Sequence, residues 1–165
     1  MTSTAEQVAE VARPATAGGV VRLRSTRFGA FEVSQDQVLR FPQGMIGLPE
    51  ARRYVIVDHR PGSPFKWMLA LDDPELGFAI ANPYELVPGY RPPLELAARL
   101  LEADPEDLAI FVVVTIPSDP AQMTVNLMAP VAVHLRTRIA RQIVLEDPHA
   151  PPAYRLLPPA TAVRR

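Results

Sequence analysis

The sequence predicts an all-β, mainly antiparallel fold: a small closed or partly open β-barrel-like domain with one short helix. Three observations lead there. About ten short apolar runs recur at near-regular spacing, each bounded by turn-forming residues, the pattern of antiparallel barrels and sandwiches. A single segment carries helical spacing. The 19 prolines end strands and discourage edge-to-edge pairing, which an all-β chain has to control.

Residues 1–18 are rich in Ala, Thr, Glu and Val without a sustained period, and Pro14, Gly18 and Gly19 set them apart from the strand-like region. That region begins at Val20 with "VVRLR" (20–24), "FEV" (31–33) and "QVLRF" (37–41). "YVIVD" (54–58), "FKWMLAL" (65–71) and "GFAIAN" (77–82) come next, joined by turn-rich "HRPGSP" and "DDPEL". "LAIFVVVTI" (108–116) is the most apolar run and is rich in β-branched residues, as suits a strand buried on both faces. "MTVNL" (123–127), "APVAVHL" (129–135) and "ARQIVL" (140–145) complete the strands, with Pro130 at a bend or edge because it has no N–H for a ladder. "PLELAARLLEA" (93–103) is the helix: Leu94, Ala97, Ala98 and Leu101 share a stripe, and Pro92 and Pro93 precede it. The expected organisation is a flexible tail over 1–19, one domain over 20–150 and a proline-rich tail over 151–165.

A chain of 165 residues buries roughly 70% of the surface its unfolded form exposes, enough for one core. With no cysteine, a disulfide framework, a thiolate nucleophile and a sulfur-ligated zinc site are all excluded. The leading residues lack a basic start followed by an apolar run, and no stretch has the ~18 apolar residues of a membrane helix. A soluble, cytoplasmic protein is expected. Net charge is −1, but unevenly spread: 9 basic and 6 acidic side chains in residues 1–71, 2 and 10 in 72–119, 6 and 2 in 120–165. An acidic middle segment either forms a solvated face or steers a basic partner.

Little in the chain points to catalysis. His59, His134 and His149 lie far apart with no i+4 pairing for a metal, and none of the five serines sits in a G-x-S-x-G elbow. No metal or cofactor is expected. "FPQGMIGLPE" (41–50) has two glycines three apart, but it lacks the Lys-Ser/Thr of a P-loop and the third glycine of a dinucleotide fingerprint. Gly44 and Gly47 are expected to supply unusual backbone angles, with Pro49 opening a helical turn through Arg53. Met45 and Ile46 then either plug the barrel mouth or offer an apolar contact. Asp72 and Asp73 cap or shape the turn at Pro74, meet a partner, or act in acid–base chemistry. Asn126, in a run of apolar neighbours, either ties backbone groups at the bend before Pro130 or faces a partner.

From about Phe41 to Leu145 the chain resembles the FliW family of flagellar assembly factors. The blocks that carry the resemblance occur in order: "FPQGMIGLPE", "PFKWMLALDDPELGFAIANPY" (64–84), "TVNLMAPVAV" (124–133) and "RQIVL" (141–145). It implies a non-enzymatic, cytoplasmic β-barrel-like adaptor, monomeric when free. Such a protein binds flagellin before export and, once flagellin leaves, sequesters the translational regulator CsrA, a small RNA-binding dimer, so that synthesis follows secretion. The chain departs from the family pattern at His134, where Asn is usual, at Ala140, where Gly is usual, and at Leu69 and Ala70, where polar residues are common.

A partner with a basic, RNA-binding surface gives an acidic region a use. Its candidate residues are Glu102, Asp104, Glu106 and Asp107, with Asp72, Asp73 and Glu75; Met45, Ile46 and Asn126 are further candidates for partner contact. Two alternatives from other classes are a barrel-fold enzyme using Asp72 or Asp73, and a single-stranded nucleic-acid binder. The second wants exposed aromatics among its arginines, whereas Phe65, Trp67, Phe78 and Phe111 lie in apolar runs.

Overall fold

The computed structural model describes residues 19–156; the tail expected before Gly19 and residues 157–165 lie outside the described residues. In chain order the strands are β1 (Val20–Ser25), β2 (Gly29–Ser34), β3 (Leu39–Arg40), β4 (Arg53–Asp58), β5 (Phe65–Ala70), β6 (Gly77–Ala81), β7 (Leu108–Thr115), β8 (Thr124–Val125), β9 (Val131–His134), β10 (Ala140–Gln142) and β11 (Tyr154–Arg155). Helices α1 (Pro83–Leu86) and α2 (Leu94–Leu101) lie between β6 and β7. Strands β1 and β2 form a separate antiparallel ribbon. The main sheet runs β3-β4-β5-β6-β7-β9-β10, every neighbouring pair antiparallel, while β8 joins β7 to β11.

That sheet curls until its edges meet. Arg40 and Ile139 form a parallel bridge, and the Arg40 N–H donates to the Arg138 carbonyl at 2.9 Å. The interior is the alternating face of every strand on the path: Leu39, Tyr54, Ile56, Met68, Ala70, Ile80, Ala109, Phe111, Val131, Val133 and Ala140 share one core with Phe41, Met45 and Leu135. Phe41 packs edge-on to Tyr54 with ring centroids 4.9 Å apart. Burial of side chains this size stabilises by about 1.5–3 kcal/mol each.

Strand β7 explains why its run is apolar throughout. Ala109 and Phe111 face the barrel interior, whereas Leu108 and Ile110 on the other face meet α2, and Val112 and Val114 meet a second outer cluster with Val125 and Leu127. Helix α2 buries Ala97 and packs Leu94, Ala98 and Leu101 on that cover, the stripe expected from spacing. The β1–β2 ribbon covers the outer face of β4 and β5 through Leu23, Val33, Val55, Val57 and Leu69. Phe28 packs on Trp67 with ring centroids 5.0 Å apart. A Cβ at Gly77 would lie 2.7 Å from Leu69 Cδ2 and 2.8 Å from the Phe28 ring, so the glycine lets these two side chains close over the sheet without shifting.

Four features differ from expectation. A second helix, the single turn α1, is capped by the Asn82 side chain accepting from the Tyr84 N–H, with Pro83 at its first position; the Asn-Pro pair is its signal in the sequence. The runs at 37–41, 123–127 and 140–145 shorten to two or three paired residues: the 3-10 turn Gln35–Gln37 takes the start of the first, the bend at Asn126 ends the second, and in the third the Ile143 and Leu145 N–H groups donate to the Pro130 and Met128 carbonyls beyond the paired strand. Pro49 opens no helical turn: the Phe41 N–H donates to the Arg52 carbonyl at 2.7 Å, drawing residue 52 into the β3–β4 ladder. Past residue 150, Tyr154 and Arg155 return to pair with Val125 and Thr124.

The 41–50 segment is a tight hairpin. Gly44 and Gly47 have φ of +67° and +80°, and the Leu48 N–H donates to the Met45 carbonyl at 2.8 Å. The hairpin divides its two central side chains: Met45 is 3% exposed inside the barrel and Ile46 is 55% exposed. A Cβ at Gly44 would sit 2.7 Å from the Pro49 Cα and against the Leu48 carbonyl, whereas one at Gly47 meets open space. Left-handed backbone costs a non-glycine residue about 1–2 kcal/mol, and an immovable backbone clash adds to it. Gly44→Ala is therefore expected to lose more than about 2 kcal/mol in urea unfolding and Gly47→Ala about 1 kcal/mol; equal losses contradict this reading of the hairpin.

Candidate partner-binding surfaces

The end of α2 builds an acidic concavity. Glu102 ends the helix in the left-handed conformation, φ +51°, its N–H bonded to the Ala98 and Arg99 carbonyls. The chain then enters a 3-10 turn, Pro105–Asp107, whose first-position proline and preceding Asp104 fit a turn start. Across it the Leu135 N–H donates to the Asp107 carbonyl at 2.9 Å, fixing the turn to the β9–β10 loop. A 400 Å³ cavity results, its charged lining Glu102, Asp104 and Asp107 with Arg99 and Arg136. Glu106 is exposed on the same turn. Arg136 approaches Asp107 at 3.7 Å, with 77% of its side chain in solvent, so that pair contributes little.

His134 lines this cavity from β9 and is buried. Its Nδ1 accepts the Arg136 N–H at 3.2 Å, a bond that an Asn Oδ1 could also accept, so His134 holds the start of the loop.

The remaining acidic candidates sit elsewhere. The β6–β7 register pairs Ala79 with Val114, placing the β5–β6 turn beside the C-terminal end of β7 and the 102–107 segment at its N-terminal end. Each carboxylate in that turn has a partner within the fold. Arg53 Nη2 donates to Asp72 Oδ1 at 2.6 Å, Asp73 Oδ1 accepts the Glu75 N–H at 3.2 Å, and Glu75 accepts the Thr26 N–H at 2.7 Å and the Thr26 hydroxyl at 2.6 Å. Glu75 thereby ties the tip of the β1–β2 ribbon to the sheet, a role that no local sequence pattern shows.

Asn126 closes the bend before Pro130: its Oδ1 accepts from the Met128 and Ala129 N–H groups at 3.0 and 3.2 Å. Ile46 points outward, and its N–H donates to Gln142 Oε1 at 2.9 Å. Among the described residues no group of three or more His, Asp or Glu side chains is arranged to hold a metal ion, and no helix is long and apolar enough to cross a membrane.

The hydrogen bonds from Thr26, hydroxyl first and N–H second, lower the pKa of Glu75 below its ordinary 4.5. A depressed folded-state pKa contributes stability above the unfolded value that is lost as pH falls through the folded one. Glu75→Gln is expected to lower the urea midpoint at pH 7, and the gap from the parent should close as pH drops below about 4.5. A gap that stays constant down to about pH 3 contradicts the assignment.

The model of the family described as FliW protein matches residues 22–156, from β1 through β11. The flagellar assembly factor FliW of Syntrophus aciditrophicus is 35% identical over 139 residues, covering 83% of this chain and 88% of that protein. That of Caldicellulosiruptor saccharolyticus is 36% identical over 136 residues, covering 81% and 89%. A crystal structure of the flagellar assembly factor FliW superposes with a TM-score of 0.76 at 25% identity, over 85% of this chain and 99% of the other. Sequence and fold agree over the whole barrel and its ribbon, and the chain belongs to the FliW family.

Proposed function

We propose that this chain is a non-enzymatic, cytoplasmic flagellar assembly adaptor, monomeric when free, that binds flagellin and antagonises CsrA. The observation that carries the reading is the match over nearly the full length of relatives named flagellar assembly factors. The acidic concavity supports its second half. Glu102, Asp104 and Asp107 converge at one end of the barrel and, with exposed Glu106, suit a basic RNA-binding surface, where complementary charge raises the encounter rate more than the affinity. Ile46, not Met45, is the member of the 41–50 pair available to flagellin. Asp72 and Asp73 are exposed and stay available to a partner, whereas Glu75 and Asn126 serve one through the contacts they hold within the fold.

Neither alternative gains an observation. Asp72 is paired with Arg53 and Asp73 with a turn N–H, contacts that give both carboxylates a role within the fold. Phe111 is fully buried, and Phe65, Trp67 and Phe78 are half-buried against apolar clusters, so these four aromatics do not form a stacking platform for single-stranded nucleic acid.

Tagged protein is expected to retain the organism's own flagellin and CsrA when each is offered alone at low salt, and added flagellin to release bound CsrA. Retention of neither contradicts the proposal. Converting Glu102, Asp104, Glu106 and Asp107 together to lysine is expected to slow CsrA association at least about tenfold at low salt and to flatten its salt dependence. An unchanged rate removes the acidic surface from the interaction.

A further inference from the structure

On the other side of the β9–β10 loop the charge reverses. A 410 Å³ cavity lies along the seam between β3 and β10, lined by Arg40, Arg136, Arg138, Thr137, Gln35 and Asp36. It continues into a 290 Å³ cavity through the shared residues Gln35, Val38 and Arg40. The second cavity adds an apolar wall of Val21, Leu23 and Leu71. Its two other arginines are already engaged, Arg22 with Glu32 at 2.9 Å and Arg53 with Asp72 at 2.6 Å. The groove thus combines guanidinium groups at the seam with an apolar wall in the adjoining cavity.

Arg138 is the unusual residue in it. It is half-buried, it holds the left-handed backbone with φ +63°, and its carbonyl is the seam acceptor for Arg40. Its Nη1 is buried without a hydrogen-bond partner. Arg40 and Arg138 have no carboxylate partner among the described residues. A guanidinium nitrogen taken from water without an acceptor is unfavourable, and glycine would meet the backbone demand of the loop with less strain. Nη1 itself is closed to solvent, so an occupant of the groove meets the guanidinium edge that the half-buried side chain still exposes. Thr137 Oγ1 accepts the Ile139 N–H at 3.3 Å, which leaves its own hydrogen free to donate into the same space.

We propose that this groove binds an acidic peptide segment of a protein partner, a carboxylate flanked by apolar side chains. The carboxylate accepts from the guanidinium groups of Arg138 and Arg40, whose planar forks match its two oxygens. The apolar neighbours lie on Val21, Leu23, Val38 and Leu71. With Arg136 already beside Asp107 at 3.7 Å, the lining of the seam cavity sets the two unpaired arginines, Arg40 and Arg138, against Asp36; that one net positive charge, next to an apolar wall, suits a carboxylate flanked by apolar side chains. The site differs in sign and place from the acidic concavity and does not rest on the adaptor reading.

The test uses the full chain and an acetylated, amidated hexapeptide of alternating leucine and glutamate, with its leucine–glutamine counterpart as control. The expected results are saturable binding, at least about tenfold weaker binding of the glutamine peptide, and a loss of about tenfold or more in Arg138→Gly and in Arg40→Gln. Arg138→Gly relieves the left-handed strain, so its urea midpoint should equal or exceed that of the parent while its peptide affinity falls, a divergence that a merely structural arginine would not produce. Arg24→Gln, outside both cavities, should bind as the parent does. No binding, equal binding of the two peptides, or binding untouched by Arg138→Gly and Arg40→Gln overturns the proposal. Tighter saturation by inorganic phosphate or a short RNA than by the acidic peptide overturns it in favour of a phosphate site.

Discussion

The fold depends on one meeting of edges. Seven antiparallel strands leave β3 and β10 with unpaired backbone groups, and an open edge of that kind invites pairing with other chains. Here the two edges meet through the Arg40 N–H to Arg138 carbonyl bond, backed by the 41–50 hairpin, whose Ile46 N–H reaches Gln142. Phe41, Met45, Leu135 and Ala140 fill the interior behind that line. The glycines at 44 and 47 matter because they let the chain reverse within the space the seam allows, with Met45 turned in and Ile46 left out.

The same closure arranges the charge. The loop between β9 and β10 carries Arg136, Thr137 and Arg138, and it is held on one side by the Asp107 carbonyl and on the other by Arg40. Arg136 and Thr137 line both the acidic concavity and the basic groove. Two surfaces of opposite sign therefore lie back to back across one short loop. The near-neutral net charge of the chain, −1, conceals this local separation of sign, which a partner feels only at short range at physiological salt. A perturbation of the loop is felt at both surfaces, since Leu135 and Arg138 anchor it to different walls.

Much of this was legible in the sequence because it rests on local signals. Alternation and β-branching marked the strands, most clearly "LAIFVVVTI", whose two apolar faces are the barrel interior and the cover formed by α2. The acidity of residues 102–107 was visible as composition, and their convergence followed from a helix ending directly before them. The features hidden from a sequence reading depend on register and closure. Glu75 stands next to Asp72 and Asp73 in the chain, yet its partner is Thr26 on the ribbon, a contact that exists only once β1 and β2 lie over β4 and β5. Arg40 and Arg138 are ordinary arginines 98 positions apart until the seam joins them. The fate of Pro49 was likewise set by the ladder bond from Phe41, which local helix-start chemistry does not foresee.

If the seam holds the barrel together, its backbone bond should open only when the barrel does. Native-state hydrogen exchange reads this directly, since amides freed by local fraying exchange far faster than those released by global unfolding. The Arg40 amide is expected to exchange as slowly as the amide of Val112 in the buried strand β7, and both slow amides to lose protection at the same denaturant concentration. Exchange of Arg40 at the rate of the exposed Gly62 amide in the β4–β5 turn would contradict closure and make the sheet an open one.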